Sequence, residues 1–145
     1  MDYREMTAPC GLDCFNCHFY LAKDNPDSMK VLESYHRLMG MPIEVMLCKG
    51  CRAEDGFPDT LRVGLNKTEP CNCYSCAQEK GVDFCCDCDE FPCDHLHPYA
   101  DRAAQVPHNT KVYQLCLIKR MGLEKWAQSK AGQVRETYFT KWWTL

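Results

Sequence analysis

Cysteine sulfur dominates the chemistry open to this chain: thirteen cysteines occur in 145 residues, and all but Cys116 lie between Cys10 and Cys93. Four pairs share the spacing C-x2-C, namely Cys14 with Cys17, Cys48 with Cys51, Cys73 with Cys76 and Cys85 with Cys88. That spacing sets two sulfurs on one tight turn, where both reach a single tetrahedral ion while intervening amides hydrogen-bond the thiolates. Pairing Cys14 and Cys17 with Cys48 and Cys51, and Cys73 and Cys76 with Cys85 and Cys88, gives two four-cysteine zinc sites and two Zn2+ ions. Cys10 and Cys93 are further candidate ligands. Cys10, Cys71, Cys86 and Cys93 are enough for a third site by number alone, whereas Cys116 on its own reads as an ordinary buried thiol.

A disulfide framework is the competing use of so much cysteine. The count is odd, Cys85 and Cys86 are adjacent, and the opening MDYREMTAPCG holds no apolar secretory core. The chain is also long enough to bury an ordinary core without bridges. Reduced thiols and a cytoplasmic setting are the expectation.

Thiolate cages accept iron as well as zinc, so a [4Fe-4S] cluster in a redox or electron-transfer protein is the alternative cofactor. Cys10-x3-Cys14-x2-Cys17 has the spacing that holds such a cluster in radical S-adenosylmethionine enzymes, where one iron stays free for the cofactor, and a plainer iron-sulfur site would add a distant fourth thiolate such as Cys93. Those enzymes build a large βα barrel around it, for which this chain lacks length and strand-helix alternation. In the ferredoxin pattern a proline follows a ligand, whereas Pro92 precedes Cys93.

Catalytic alternatives are thin. Cys93, His95 and His97 could form an open zinc site, but neither H-E-x-x-H nor the deaminase order occurs, and both histidines read as surface groups. His18, beside Cys17, reads as a donor to a thiolate. Asp89 and Glu90 read as a solvated acidic turn. No phosphate-cradling glycine loop or nucleophile elbow is present. Catalysis is left unassigned.

These ligands need elements to hold them. After the capping residues Asp24 to Asp27, Val31, Leu32, Tyr35, Leu38 and Met39 fall at helical spacing, and Gly40 with Pro42 ends the helix. Its out-and-back path brings the knuckles at its two ends together. Residues 60–65 suggest a short strand in a loop. Asn109 and Thr110 cap a helix with Val112, Leu115, Cys116 and the Lys119 stem on one side, and a second run extends from Leu123 to about Phe139. The expected fold is small, metal-stabilised α+β: irregular cysteine lobes with short strands packed on helices, and a C-terminal helical hairpin. One domain, 1–145, divides into a cysteine-rich part (1–98) and a helical part (99–145).

Residues 1–100 hold nine Lys and Arg against seventeen Asp and Glu, and 101–145 hold eight against three. Each loaded four-thiolate zinc site adds two negative charges, so the cysteine half repels phosphate. Lys111, Lys119, Arg120, Lys125, Lys130, Arg135 and Lys141 form a basic helical region, the one feature that favours a nucleic-acid-binding zinc module. That reading is secondary, because charge on a helix is usually its wet face. No apolar run is long enough to span a bilayer. Trp142 and Trp143 read as packing on the domain rather than as an anchor for a protein partner, and no residue pattern decides the oligomeric state.

CGLDCFNCHFYLA, LCKGCR, CAQEKGVDFCCDCDEFPCDHL and MGLEKWA, in that order from about Cys10 to Trp126, resemble a family of small, cysteine-rich prokaryotic proteins catalogued as a domain of unknown function. The resemblance implies zinc binding and carries no established activity. The function it and the spacing together suggest is a metal-binding protein with a structural or interaction role.

Overall fold

The structure is a computed structural model, which describes residues 1–97 and 108–140, with backbone alone for 108, 109 and 138–140. The path runs through α1 (His18–Leu21), α2 (Pro26–Met39), α3 (Ile43–Met46), α4 (Asn72–Glu79), α5 (His108–Met121), α6 (Leu123–Trp126) and α7 (Gly132–Thr140), with tight 3-10 turns at Cys14–Asn16, Cys85–Asp87 and Asp94–Leu96.

Helix α2 forms where capping chemistry is strongest. The Asn25 side-chain oxygen accepts from the amides of Asp27 (2.9 Å) and Ser28 (3.1 Å), and Pro26, with its fixed φ, opens the first turn. At the other end Gly40 takes the left-handed conformation (φ 69°) and returns its amide to the His36 carbonyl, so the predicted boundaries hold. The predicted buried stripe does not. Leu32 is buried, but Tyr35, Leu38 and Met39 are exposed, and Ser28 takes an inward position instead. The helix needs only a narrow strip because its partners are small: Ala22, Leu32 and Met46 form the buried centre of a minor apolar cluster, flanked by Phe19, Met29, Met41, Ile43 and Leu47.

The main core lies elsewhere. Phe15, Phe84, Leu96, Leu115, Leu117, Ile118, Trp126 and Ala131 pack with Cys10, Cys73 and Cys86. Tyr3 meets Phe15 edge-on at 5.0 Å, and Phe15 meets Trp126 likewise at 5.7 Å. The indole N–H of the fully buried Trp126 donates to the Gln114 side chain at 2.6 Å, which satisfies both polar groups inside the core. Gly11 lets α5 approach closely: at φ 84° it is suited to glycine, and a Cβ there would stand 3.0 Å from Leu115.

The α+β expectation fails on its β half. Among the described residues the sole β-type pairing is one isolated bridge, Thr7 with Asp13, so the fold is mainly helical. Residues 60–65 are not a strand: Thr60–Gly64 closes as a wide helical turn. The Pro58 carbonyl receives the amides of Leu61 (2.8 Å) and Arg62 (3.0 Å), Asp59 pairs with Arg62, and no neighbouring edge offers a ladder.

The C-terminal hairpin is present as α5 followed by a run from α6 through a π-helical turn (Ala127–Ala131) into α7, with Gly122 (φ 83°) at the bend. Its inward face is rotated from the predicted one. Lys111, Gln114, Leu115, Leu117 and Ile118 are buried, while Cys116 is exposed and is therefore not the buried thiol that composition suggested. Hydropathy alone could not place a lysine and a glutamine inward, because their partners, thiols and an indole, come from other segments. Trp142 and Trp143 lie outside the described residues.

One ion pair fastens the hairpin to the first cysteine turn. Arg135 on α7 donates to the Asp13 carboxylate at 2.9 and 3.2 Å, with Asp13 almost wholly buried immediately before Cys14. Asn16 completes the carboxylate's shell at 2.9 Å. Removing one partner of a buried pair strands the other charge. Arg135→Met is expected to cost about 3 kcal/mol in urea unfolding. Asp13→Asn in the same background should then cost much less than it does alone, a coupling that a double-mutant cycle measures.

Candidate functional site

All thirteen cysteines are free thiols. Those of the predicted sites come from segments far apart in sequence, and local backbone chemistry differs among them. Cys14 and Cys85 each start a 3-10 turn closed by the amide of the second cysteine on the first carbonyl, Cys17 on Cys14 at 2.8 Å and Cys88 on Cys85 at 3.3 Å. The Cys48–Cys51 turn depends on Gly50, whose φ of 95° aims its amide at the Cys48 sulfur, 3.3 Å away. Cys73 and Cys76 instead lie on the helix α4, not on a knuckle turn, one turn apart on its surface.

The first predicted set is drawn together along the minor lobe. The Cys48 amide donates to the Phe19 carbonyl at 3.0 Å, joining the two ends of the α1–α2–α3 excursion. A Cβ on Gly50 would stand 3.9 Å from the Cys14 sulfur. Charge on Cys48 and Cys17 acts on Cys14, and charge on Cys14 and Cys48 acts on Cys51. Glu54 belongs to this turn, accepting from the Cys48 thiol at 3.6 Å and from the Lys49 amide at 2.7 Å.

The second predicted set draws on helix α4 and the Cys85–Cys88 turn. The Cys73 thiol donates to the His95 carbonyl at 3.3 Å, and Cys71, Cys85 and Cys10 act on it electrostatically. Cys76 is influenced by Cys93 and Cys88. Around Cys88 the Lys80 ammonium donates to the sulfur at 3.5 Å and to Glu90 at 2.8 Å, and the Glu90 amide points at the same sulfur at 3.4 Å. By their electrostatic influence on one another, eleven of the thirteen thiols form three overlapping neighbourhoods: Cys14, Cys17, Cys48 and Cys51; Cys10, Cys71, Cys73 and Cys85; and Cys76, Cys88 and Cys93. Cys51 borders the second, being also in the field of Cys10 and Cys71. Cys86 faces the apolar core, fully buried.

A cation attends each neighbourhood, and spacing rules for ligands did not reveal these. Arg135 acts on Cys17 and Cys14. The buried Lys111 acts on Cys10, Cys73, Cys71 and Cys51. Lys80 acts on Cys88. The signal that could have exposed Lys111 is its register, four residues before Leu115 and seven before Ile118 on one helix face. Lys111 and Arg135, two of the basic residues on the C-terminal helices, therefore turn inward rather than toward a phosphate backbone, and Lys141 lies outside the described residues. The histidines stay outside: His18 pairs its Nδ1 with the Ser28 hydroxyl at 3.1 Å, not with a thiolate, and His95 and His97 are exposed.

The fit to a metal is mixed. Free thiols, amides aimed at sulfur and neighbouring cations suit a thiophilic ion. Yet among the described residues no three His, Cys, Asp or Glu side chains converge closely enough to hold an ion as they stand. Donor chemistry fits and convergence does not, so ligation requires the sulfurs to draw inward, as rotation between staggered χ1 wells allows.

In this thiol form Cys14, Cys48 and Cys73 hold their protons more tightly than free thiols do. Burial, then charge on Cys48 and Cys17, pushes Cys14 up to about 12. Burial foremost, with Glu54 adding, pushes Cys48 up to about 12. The influence of Cys71 lowers Cys73, but that of Cys85 and burial outweigh it, leaving Cys73 raised to about 12. Above pH 9 the unfolded chain releases protons that the fold retains, so stability falls as pH rises from about 9 toward 12. A metal-loaded form has the opposite slope on the acid side, because protons compete with the ion for sulfur. Reduced, chelator-treated protein should keep a constant melting temperature from pH 6 to 8 and lose it steadily above 9. Thermal melts across that range check the sign, and a rise above pH 9 would contradict the thiol-form geometry.

No match occurs among curated proteins or among solved structures. A family model described as "Protein of unknown function (DUF3795)" matches residues 6–98, which hold every cysteine except Cys116 and leave α5, α6 and α7, with MGLEKWA, outside the match. That span is well over half of the chain, and the chain belongs to this cysteine-rich family of unknown function.

Proposed function

We propose that the protein binds zinc through cysteine thiolates and that the metal serves a structural or interaction role. The candidate ligands are Cys10, Cys14, Cys17, Cys48, Cys51, Cys73, Cys76, Cys85, Cys88 and Cys93. The observation that carries this reading is the presence of free thiols from separate segments in and against the main apolar core, without a disulfide among them. Ordinary cores do not concentrate sulfur in this way, and thiolates are the ligands that zinc prefers in structural sites.

Energetics support the same reading. The minor cluster has three buried hydrophobic residues, Ala22, Leu32 and Met46, too few to hold α1, α2 and α3 in place unaided. Structural zinc contributes on the order of 10 kcal/mol per site in small modules, comparable to the stability of a whole domain. A metal at Cys14, Cys17, Cys48 and Cys51 would clamp that lobe at its base. Among the described residues no helix is long and apolar enough to cross a membrane, and a protein partner is the interaction that a rigid metal lobe would serve.

Elemental analysis of protein purified without oxygen is the test. Zinc in whole-number stoichiometry in a colourless solution is expected, with Cys48→Ser lowering both zinc content and melting temperature. Brown colour with acid-labile sulfide would replace zinc by an iron-sulfur cluster. Metal-free protein whose melt is unchanged by added zinc would overturn metal binding altogether.

A further inference from the structure

We propose that Lys80 and Cys88 are a modification site, at which dioxygen joins the lysine nitrogen to the cysteine sulfur through one bridging oxygen atom. This goes beyond the zinc reading and does not depend on it, because the contact lies between the amine and a free thiol.

The two atoms to be joined already touch. The Lys80 nitrogen donates to the Cys88 sulfur at 3.5 Å and to the Glu90 carboxylate at 2.8 Å. Backbone hydrogen bonds hold both ends of the reversal between them. On the lysine side, α4 closes with the Lys80 amide on the Cys76 carbonyl and the Val82 amide on the Ala77 carbonyl, each at 3.0 Å, while Gly81 (φ 64°) turns the chain back. On the cysteine side, the Cys88 amide donates to the Cys85 carbonyl at 3.3 Å, and the Glu90 amide points at the Cys88 sulfur at 3.4 Å. A small oxidant can reach the pair from solvent, because Cys88 is half-buried and the Lys80 side chain keeps 33% of its surface exposed. The exposed ion pair with Glu90 by itself contributes little. What distinguishes this lysine is the sulfur beside it.

Cysteine sulfur accepts oxygen readily, and an oxidised sulfur is captured by whatever nucleophile lies next to it. Here that neighbour is an amine. The ammonium, the thiol and one dioxygen give the N–O–S bridge, one water and one proton. Nitrogen and sulfur lose two electrons each, and dioxygen takes up all four: one of its atoms becomes the bridge and the other leaves as water. Of the four hydrogens on the two groups, one stays on nitrogen, two leave in the water and one passes to Glu90, the base within hydrogen-bond reach. Glu90 and Cys88 favour the ammonium as the resting form, so the bridge builds up under sustained oxygen rather than at once. The product offers neither a thiolate to a metal nor a positive charge to an anion.

The test exposes the full chain, reduced, chelator-treated and freed of reductant, to air or to nitrogen, followed by iodoacetamide, digestion and mass spectrometry. In air, wild type should lose alkylation at Cys88 and yield one peptide spanning Lys80 and Cys88 that has gained one oxygen and lost two hydrogens. A dithiol reductant, itself oxidised to a disulfide, should restore both side chains with release of water. Under nitrogen the peptide should stay unmodified. Lys80→Arg, which keeps the charge on this surface turn, should leave Cys88 open to alkylation in air. Cys88 alkylated equally in air and nitrogen, a product without the added oxygen, such as a disulfide to another cysteine, or the same product in Lys80→Arg overturns the proposal. No metal is counted in this experiment, so its failure leaves the zinc reading standing.

Discussion

Negative charge on closely gathered sulfur is the constraint around which this molecule is arranged. A thiol is a small, apolar core group while protonated, but its conjugate base is an anion that neither a core nor a neighbouring thiolate tolerates uncompensated. Charge on Cys48 would act on Cys14, charge on Cys71 and Cys85 on Cys73, and charge on Cys88 and Cys93 on Cys76. Each gathering has a cation at hand: Arg135, Lys111 or Lys80. In the protonated state these sulfurs pack as ordinary small residues. In the ionised state they need both the basic side chains and a bound cation, so the two states differ in what holds the fold together.

That view accounts for the otherwise awkward polar residues of the C-terminal hairpin. Lys111, Gln114 and Arg135 sit inward where apolar groups would pack more cheaply, and each has a named reason: thiols, the Trp126 indole, and the Asp13 carboxylate ahead of Cys14. The family match ends at residue 98, yet α5 and α7 reach the cysteine turns through Leu115 and Arg135. The hairpin is therefore a wall of the thiol region, and its contacts make the cysteine part and the helical part mechanically continuous. The minor lobe hangs on less, a three-residue centre and the Cys48 to Phe19 hydrogen bond, which is why a metal clamp at its base would matter most there.

Local signals were legible where a local cause decides the outcome. Asn25, Pro26 and Gly40 act within one turn of their own position, so both ends of α2 could be read directly. The stretch Thr60–Gly64 misled because strand character needs an edge to pair with, and the nearest acceptor, the Pro58 carbonyl, is helical in placement. The α2 stripe was overestimated at Tyr35, Leu38 and Met39, since periodicity marks which residues can share a face but not how wide the opposing surface is.

Sequence by itself determined that cysteine is concentrated between Cys10 and Cys93, that eight of these residues stand in C-x2-C pairs, and that helices follow them. Only the tertiary structure decided which segments meet. It turned Lys111 and Arg135 inward and left Cys116 at the surface. The physical reason is range: spacing along a turn governs neighbours a few residues apart, whereas the company a thiol keeps depends on hydrogen bonds between distant segments, such as Cys85 to Pro9 and Cys71 to Gly56, that no short window contains.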